Sequence, residues 1–271
     1  GYIEEASRSA ESLRRHHPDV PICLITDQAN VPAGAFTEIR APRQPAEHKP
    51  IDKLLAYEAP YERCVFLDTD TRVFGDLTPL FAVLERFDVS AHQDINRGWH
   101  YDFPDVPLCF SEFNTGVIAF RRSAAVEEFF RAWRRAYDEI NRTLGLVNDQ
   151  PGFRRALYHS SLRVAPLPSE FHFLGNVSNA IMWKVRLIHA RGDYDAIARQ
   201  VDEQLGARAY IPDVGVLQSF RGRKHWFFRT LRMTARMIRL CFSPPRDSAK
   251  ANPRKWWLAE SAAAKLPPKR E

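Results

Sequence analysis

Cys64-Val65-Phe66-Leu67-Asp68-Thr69-Asp70 reads as a buried strand that ends in two carboxylates. Four apolar residues in a row suit a strand covered on both faces. Successive strand side chains point to opposite faces, so Asp68 and Asp70 fall on the same one. The carboxyl end of a strand is where open α/β sheets bind ligands. Two like charges placed together call for a cation, a proton or water. Hard oxygen donors of this kind suit Mg²⁺ or Mn²⁺, which commonly take one or two carboxylates together with substrate phosphates.

Around this stretch the pattern alternates. Residues 2–17 predict a helix with Ile3, Ala6, Ala10 and Leu13 on its apolar face. A short strand over 21–26 ends at Asp27, and Pro32, Pro42, Pro45 and Pro50 punctuate a loop before a helix over 51–57. After the Asp68 strand come a helix over 76–84, a strand over 87–91 and an irregular stretch over 92–112 rich in aromatics, His and Asp. Residues 115–120 read as a buried strand. Val126, Phe129, Trp133, Tyr137 and Ile140 mark an amphipathic helix. A helix over 148–158 and strands over 162–167 and 184–188 follow. Helices alternating with strands predict an α/β fold, a mainly parallel sheet flanked by helices.

The 271 residues suffice for one large α/β domain or two small ones. Cys23, Cys64, Cys109 and Cys241 form no close pair, which points to a reducing compartment without a disulfide framework. No apolar stretch is long enough to span a bilayer and no signal peptide is visible. The charge is uneven. From residue 216 on there are 14 Lys and Arg against 3 Asp and Glu, leaving 25 against 30 in the rest, or +11 beside −5. We therefore divide the chain into a mildly acidic body, 1–215, and a basic tail, 216–271. In the tail Arg229, Arg232, Arg236 and Arg239 form one helical stripe, and Phe227, Leu231, Thr234, Ile238 and Cys241 another. Such a basic amphipathic helix over 226–241 suits an anionic membrane surface. It carries no recognisable nucleic-acid module. The expected location is cytoplasmic, peripheral on the inner face of the membrane.

Five segments, in order, resemble the metal-dependent GT-A glycosyltransferases, specifically glycosyltransferase family 8, the glycogenin and lipopolysaccharide galactosyltransferase group, and its bacterial relatives. They are YIEEASRSAESLRRHHPDVPICLITD (2–27), KLLAYEAPYERCVFLDTDTRVFGDLTPLF (53–81), EFNTGVIAF (112–120), NDQPGFRRAL (148–157) and LIHARGDY (187–194). The resemblance runs from about residue 1 to 195. It implies a Rossmann-like nucleotide-diphospho-sugar transferase fold and transfer of a sugar from a nucleotide diphosphate sugar, a UDP-sugar, with retention. It implies Mn²⁺ or Mg²⁺ as cofactor and a glycan, lipid or protein acceptor.

Carried onto this chain, the resemblance makes Asp68 and Asp70 the metal pair and His189 the third protein ligand. His172-Phe173-Leu174-Gly175 fits the same His-x-x-Gly pattern as His189 and ranks second, because no apolar strand precedes it. Lys53 resembles a lysine that meets the donor. Asn114 and Gln150 resemble polar groups around the sugar, and Asp149 a carboxylate for its hydroxyls, although Asp at a helix start is also a good cap. Asp27 is placed against the nucleobase or ribose. The family's first strand falls before Gly1 and is absent from this sequence. Where the family often carries a Lys after His-x-x-Gly, this chain has Asp193, Tyr194 and Asp195, and Arg191 is the nearest cation. Two other classes compete. A haloacid dehalogenase-type phosphatase also places two Asp after an apolar strand, but Arg72 departs from its pattern. A degenerate transferase fold acting as a non-catalytic binding module is the third reading.

Overall fold

The computed structural model describes residues 1–32, 34–95, 101, 103–203, 205–218, 234, 235 and 238. The chain divides into two compact units, Gly1–Ser219 and Phe220–Glu271. The predicted tail helix over 226–241 lies almost wholly outside the described residues. Of its positions Thr234, Ala235 and Ile238 are described, all exposed.

The first unit is α/β. Helix α1 (Tyr2–Arg14) leads to β1 (Cys23–Ile25) and β2 (Glu38–Arg40), then a 3-10 helix at Pro50–Glu58. Strands β3 (Arg63–Leu67) and β4 (Thr71–Val73) flank the two aspartates. Helix α2 (Thr78–Ala82), β5 (Val89–Gln93), β6 (Phe113–Arg121), α3 (Ala124–Leu144), α4 (Gln150–Tyr158) and β7 (Val164–Leu167) follow. The last part holds β8 (Phe173–Leu174), β9 (Asn179–Ile181), β10 (Leu187–His189), α5 (Tyr194–Asp202), β11 (Arg208–Ile211) and β12 (Gly215–Gln218). Val216, where the charge count starts the basic tail, is part of β12. Among the described residues no helix is long and apolar enough to cross a membrane.

The strand pairing corrects one expectation. The central sheet has the order β3-β6-β5-β7, and β6 runs antiparallel to both its neighbours while β5 and β7 are parallel. A second sheet, β4-β10-β8, pairs β10 antiparallel to β4 and parallel to β8. The sheets are mixed rather than mainly parallel. A parallel pair needs a crossover, usually a helix. The segment between the antiparallel neighbours β5 and β6 contains no helix among its described residues.

Two packing features position the chemistry. Helix α3 begins at Ser123, whose side chain caps Val126 N, and ends at Gly145 in the left-handed region with φ 67°. Its buried face clusters Val126, Phe129, Trp133 and Tyr137 with Phe153 of α4, the rings of Phe129 and Trp133 against that of Phe153, while Ile140 packs with Phe103 and Val106. Burying aromatic side chains of this size contributes about 1.5–3 kcal/mol each. The Trp133 Nε1–H donates to the Asp149 carbonyl at 2.9 Å, which fixes where α4 starts. Helix α1 covers β4: Val73 N donates to Ser12 Oγ at 2.9 Å, and Ser9 Oγ meets Thr71 Oγ1 at 2.9 Å. The serines take up polar groups that a neighbouring strand would otherwise pair.

Candidate metal and donor site

Strand β3 stops at Leu67, and the two aspartates lie in a turn rather than in extended chain. Thr71 closes it, its N–H and Oγ1 both donating to the Asp68 carbonyl, at 3.1 and 2.7 Å. Asp68 N in turn donates to Gly116 O at 2.8 Å. The strand alternation invoked from sequence is therefore not what aligns the carboxylates. Register does the rest, because β10 lies against β4 with His189 opposite Thr71.

Asp68, Asp70 and His189 each offer one ligand atom, and these atoms lie within 4.8 Å of one another. His189 Nε2 stands 3.1 Å from Asp70 Oδ1 and 3.8 Å from Asp68 Oδ2. Two carboxylate oxygens and one imidazole nitrogen fit Mn²⁺, and the oxygens also fit Mg²⁺. Burial pushes the Asp70 carboxyl up, but the His189 hydrogen bond and charge and Arg191 outweigh it and bring it down to about 2. Arg191 Nε donates to Asp70 Oδ2 at 3.2 Å. The Tyr194 hydroxyl donates to the Asp70 carbonyl at 3.0 Å, and Arg72 lies over the Tyr194 ring. Arg72 bonds backbone carbonyls of the turn, so it supports the turn's shape.

Lys53, on the 3-10 helix, joins this group to the next. Its ammonium donates to Asp68 Oδ2 at 2.9 Å and to Thr115 Oγ1 at 3.2 Å, and lies 3.8 Å from Asp149 Oδ1. Burial opposes its charge, yet Asp149 and Asp68 together hold its pKa above the ordinary lysine value. Asp149 is buried, and burial raises its pKa against the pull of Lys53. It stands at the N-cap of α4, but its side chain makes no cap bond. Asn148 Oδ1 takes the Gln150 N–H instead, at 2.9 Å. The capping explanation of Asp149 is thereby removed.

Asn114 and Gln150 converge on a residue that sequence reasoning missed. Both side-chain amides donate to Asp94 Oδ2, at 3.3 and 3.1 Å. Asp94 and Thr115 carried no sequence signal: one falls in the irregular stretch, the other reads as an ordinary strand residue. Glu112 nearby is 1% exposed, and burial pushes its carboxyl up to about 8. The segment before it is held by Arg154 of α4, fully buried, whose guanidinium donates to the carbonyls of Tyr101, Pro107 and Phe110. Asp27 is exposed two residues beyond the end of β1, with its carboxylate 3.5 Å from His48 Nε2.

The two rival histidines are neighbours. His172 Nε2 and His189 Nδ1 are 2.9 Å apart, because β8, which starts one residue after His172, pairs parallel with β10. Gly116 makes room for the His189 ring: a Cβ there would meet its Cε1 at 2.3 Å and its Nδ1 at 2.4 Å. The Asn-x-Gly segment thus needs glycine for close approach rather than for a special backbone angle.

Residues 63–196 match the family of nucleotide-diphospho-sugar transferases. No curated protein matches the sequence. Similar solved structures include the galactosyltransferase LgtC in complex with donor and acceptor sugar analogs, 16% identical, covering 93% of this chain and 96% of that one, with a TM-score of 0.47. The bifunctional glycosyltransferase WbbM is 21% identical over 65% of this chain and 38% of that one, with a TM-score of 0.44. The glycosyltransferase GlyE of Streptococcus pneumoniae TIGR4 is 17% identical over 64% and 45%, with a TM-score of 0.46. The stretch that matches that family, residues 63–196, holds the Asp68, Asp70 and His189 cluster with Asn114, Asp149 and Gln150, and the chain resembles the GT-A glycosyltransferases of family 8.

Proposed function

We propose that the chain transfers a sugar from a nucleotide diphosphate sugar, a UDP-sugar, to a glycan, lipid or protein acceptor, in a reaction that depends on a divalent cation, Mn²⁺ or Mg²⁺, and proceeds with retention. One observation carries this reading: Asp68, Asp70 and His189, all inside the region that matches the transferase family, converge beside the partly buried Lys53. A divalent cation held there supplies Lewis-acid neutralisation of the diphosphate. Lys53 adds a fixed positive charge on the same side, where negative charge develops as the nucleotide departs. Asn114, Gln150 and Asp94 form a hydrogen-bonded group suited to sugar hydroxyls, and Asp149 offers a buried carboxylate beside Lys53. Arg191, largely exposed next to Asp70, is a second cation within reach of a phosphate. Asp27 remains our choice for the nucleoside end.

The experiment is a panel of UDP- and GDP-sugars with Mn²⁺, scored by nucleotide release. Release from at least one donor is expected, falling about a hundred-fold or more in Asp68→Asn, in the range for removal of a charge-stabilising group. No release from any donor, with or without added glycan acceptors, removes the proposal. We further propose that the basic tail, 216–271, holds the protein on an anionic membrane surface through 226–241. Vesicles containing anionic lipid should pellet the protein, and replacing Arg229, Arg232, Arg236 and Arg239 by Glu should leave it in the supernatant. An unchanged pellet fraction rejects the surface-helix reading.

A further inference from the structure

His172 is 0% exposed and lies behind His189 as seen from the carboxylates. Their ring planes are inclined by only 16°, with centroids 5.1 Å apart and the facing nitrogens at 2.9 Å. That combination is an edge-to-edge contact in a nearly common plane, along the lone-pair direction of the acceptor nitrogen. On the other side His189 turns Nε2 towards Asp70 and Asp68. Gly116 lies against the ring so closely that a Cβ would overlap it. The ring is therefore confined from one side by backbone and anchored at Nδ1 by one partner.

We propose that His172 is the positioning residue of the cation site, holding His189 in the tautomer and orientation in which Nε2 presents its lone pair to the ion. The inference rests on the donor-clamp reading given above. An imidazole nitrogen that binds a cation carries no proton, so the proton of neutral His189 then sits on Nδ1. Nδ1–H needs an acceptor, and His172 Nε2 is the atom within bonding distance. Accepting there places the His172 proton on its own Nδ1, a buried donor without a hydrogen-bond partner among the described residues, a cost of about 1–3 kcal/mol that cation binding at His189 Nε2 has to offset. His92 packs its ring edge-on to His172, with centroids 5.5 Å apart at 77°, and Ser169 Oγ meets His92 Nε2 at 3.3 Å. These contacts keep the His172 ring in place. Partners of this kind tune ligand basicity and orientation, and their loss typically weakens metal binding about 10–100-fold.

The test compares the unmodified protein with His172→Phe and His172→Gln. Phe keeps a ring and removes the acceptor; Gln offers an amide oxygen to the same proton. Mn²⁺ affinity is measured by calorimetry and electron paramagnetic resonance in the presence of UDP, and thermal melting shows that each variant folds. His172→Phe should bind Mn²⁺ about ten-fold or more weakly, while His172→Gln recovers most of the affinity. With diamagnetic Zn²⁺, which takes imidazole nitrogen, and UDP, the ¹⁵N spectrum of His189 should show protonation at Nδ1 in the unmodified protein. Unchanged Mn²⁺ affinity in His172→Phe overturns this inference alone. So does protonation at Nε2 in the Zn²⁺ complex, or equal weakening by Phe and Gln. Failure of the unmodified protein to bind Mn²⁺ with UDP overturns the donor-clamp reading and this inference with it.

Discussion

Gly116 shows how a single side-chain hydrogen sets the geometry of the cluster. A methyl group at this position would stand 2.3 Å from His189 Cε1, far inside van der Waals contact, and 3.1 Å from Asn114 Oδ1. The backbone cannot yield easily, because Gly116 O accepts from Asp68 N and Gly116 N donates to Asn114 Oδ1. The His189 ring must move instead, away from Asp68 and Asp70. Gly116→Ala should therefore lose about ten-fold or more in Mn²⁺ affinity measured with UDP, in the range for a displaced ligand. Its melting should fall by an amount corresponding to about 1–3 kcal/mol of overpacking. A variant that binds Mn²⁺ as the unmodified protein does would show that the ring does not depend on this gap. At this scale much of the site was legible. The spacing of Asp68 and Asp70 and the order of Lys53, Asn114, Asp149-Gln150 and His189 are linear facts. Lys53, the two aspartates and His189 do meet, and Asn114 and Gln150 share a partner. That partner, Asp94, was not legible because one aspartate in an aromatic-rich loop has no periodicity. His172 was visible only as a rival for the role of His189. Spacing alone says nothing about which of two histidines faces the carboxylates and which stands behind.

At the scale of elements, Asp88 fastens the central sheet at the end remote from the chemistry. Arg121 closes β6 and Arg163 precedes β7; both guanidiniums donate to the Asp88 carboxylate. Arg163 N donates to Asp88 Oδ2, and the backbones of Asp88, Arg121 and Arg163 bond one another. One carboxylate thus ties three adjacent strands at their ends. Arg163 foremost, with Arg121, holds its pKa down to about 2. A carboxyl depressed in the folded state stabilises the protein above its unfolded value near 4 and loses that contribution as the pH falls through about 2. Arg163 is more than half exposed, so screening reduces the effect, and Asp88→Asn should cost about 1–2 kcal/mol at pH 7. Denaturant melts of the two proteins should converge between about pH 4 and pH 2. A difference that persists unchanged at pH 2 would mean that the variant acts through packing and not through charge.

For the molecule as a whole, helices and strands alternate as the apolar pattern requires, and the long elements β3, β6, α3 and α4 fall where it places them. The mixed pairing was not legible, because chain direction in a sheet depends on how each connection travels. Short strands such as β2, β8 and β9 were missed, since two or three residues cannot establish a period of two. These short pieces nevertheless complete the site: β8 carries the chain on from His172, and β10 is sandwiched between β8 and β4. The cluster therefore draws on α1, the Pro50–Glu58 helix, β4, β6, α4, β8 and β10, which span most of the first unit in sequence. A ligand that bridges Asp68, Asp70 and His189 binds only when all of these are assembled. Binding to the folded state alone stabilises it by about 2.7 kcal/mol at a hundred times the dissociation constant. For a unit of this size that raises the melting temperature by about 5–10 °C. UDP with Mn²⁺ should produce such a rise in calorimetric melting, UDP with a chelator should produce much less, and Asp68→Asn should abolish the difference between the two. An equal rise in the chelated sample would mean that the nucleotide binds without help from the carboxylates, and that Asp68 and Asp70 serve the Thr71 turn instead of a cation.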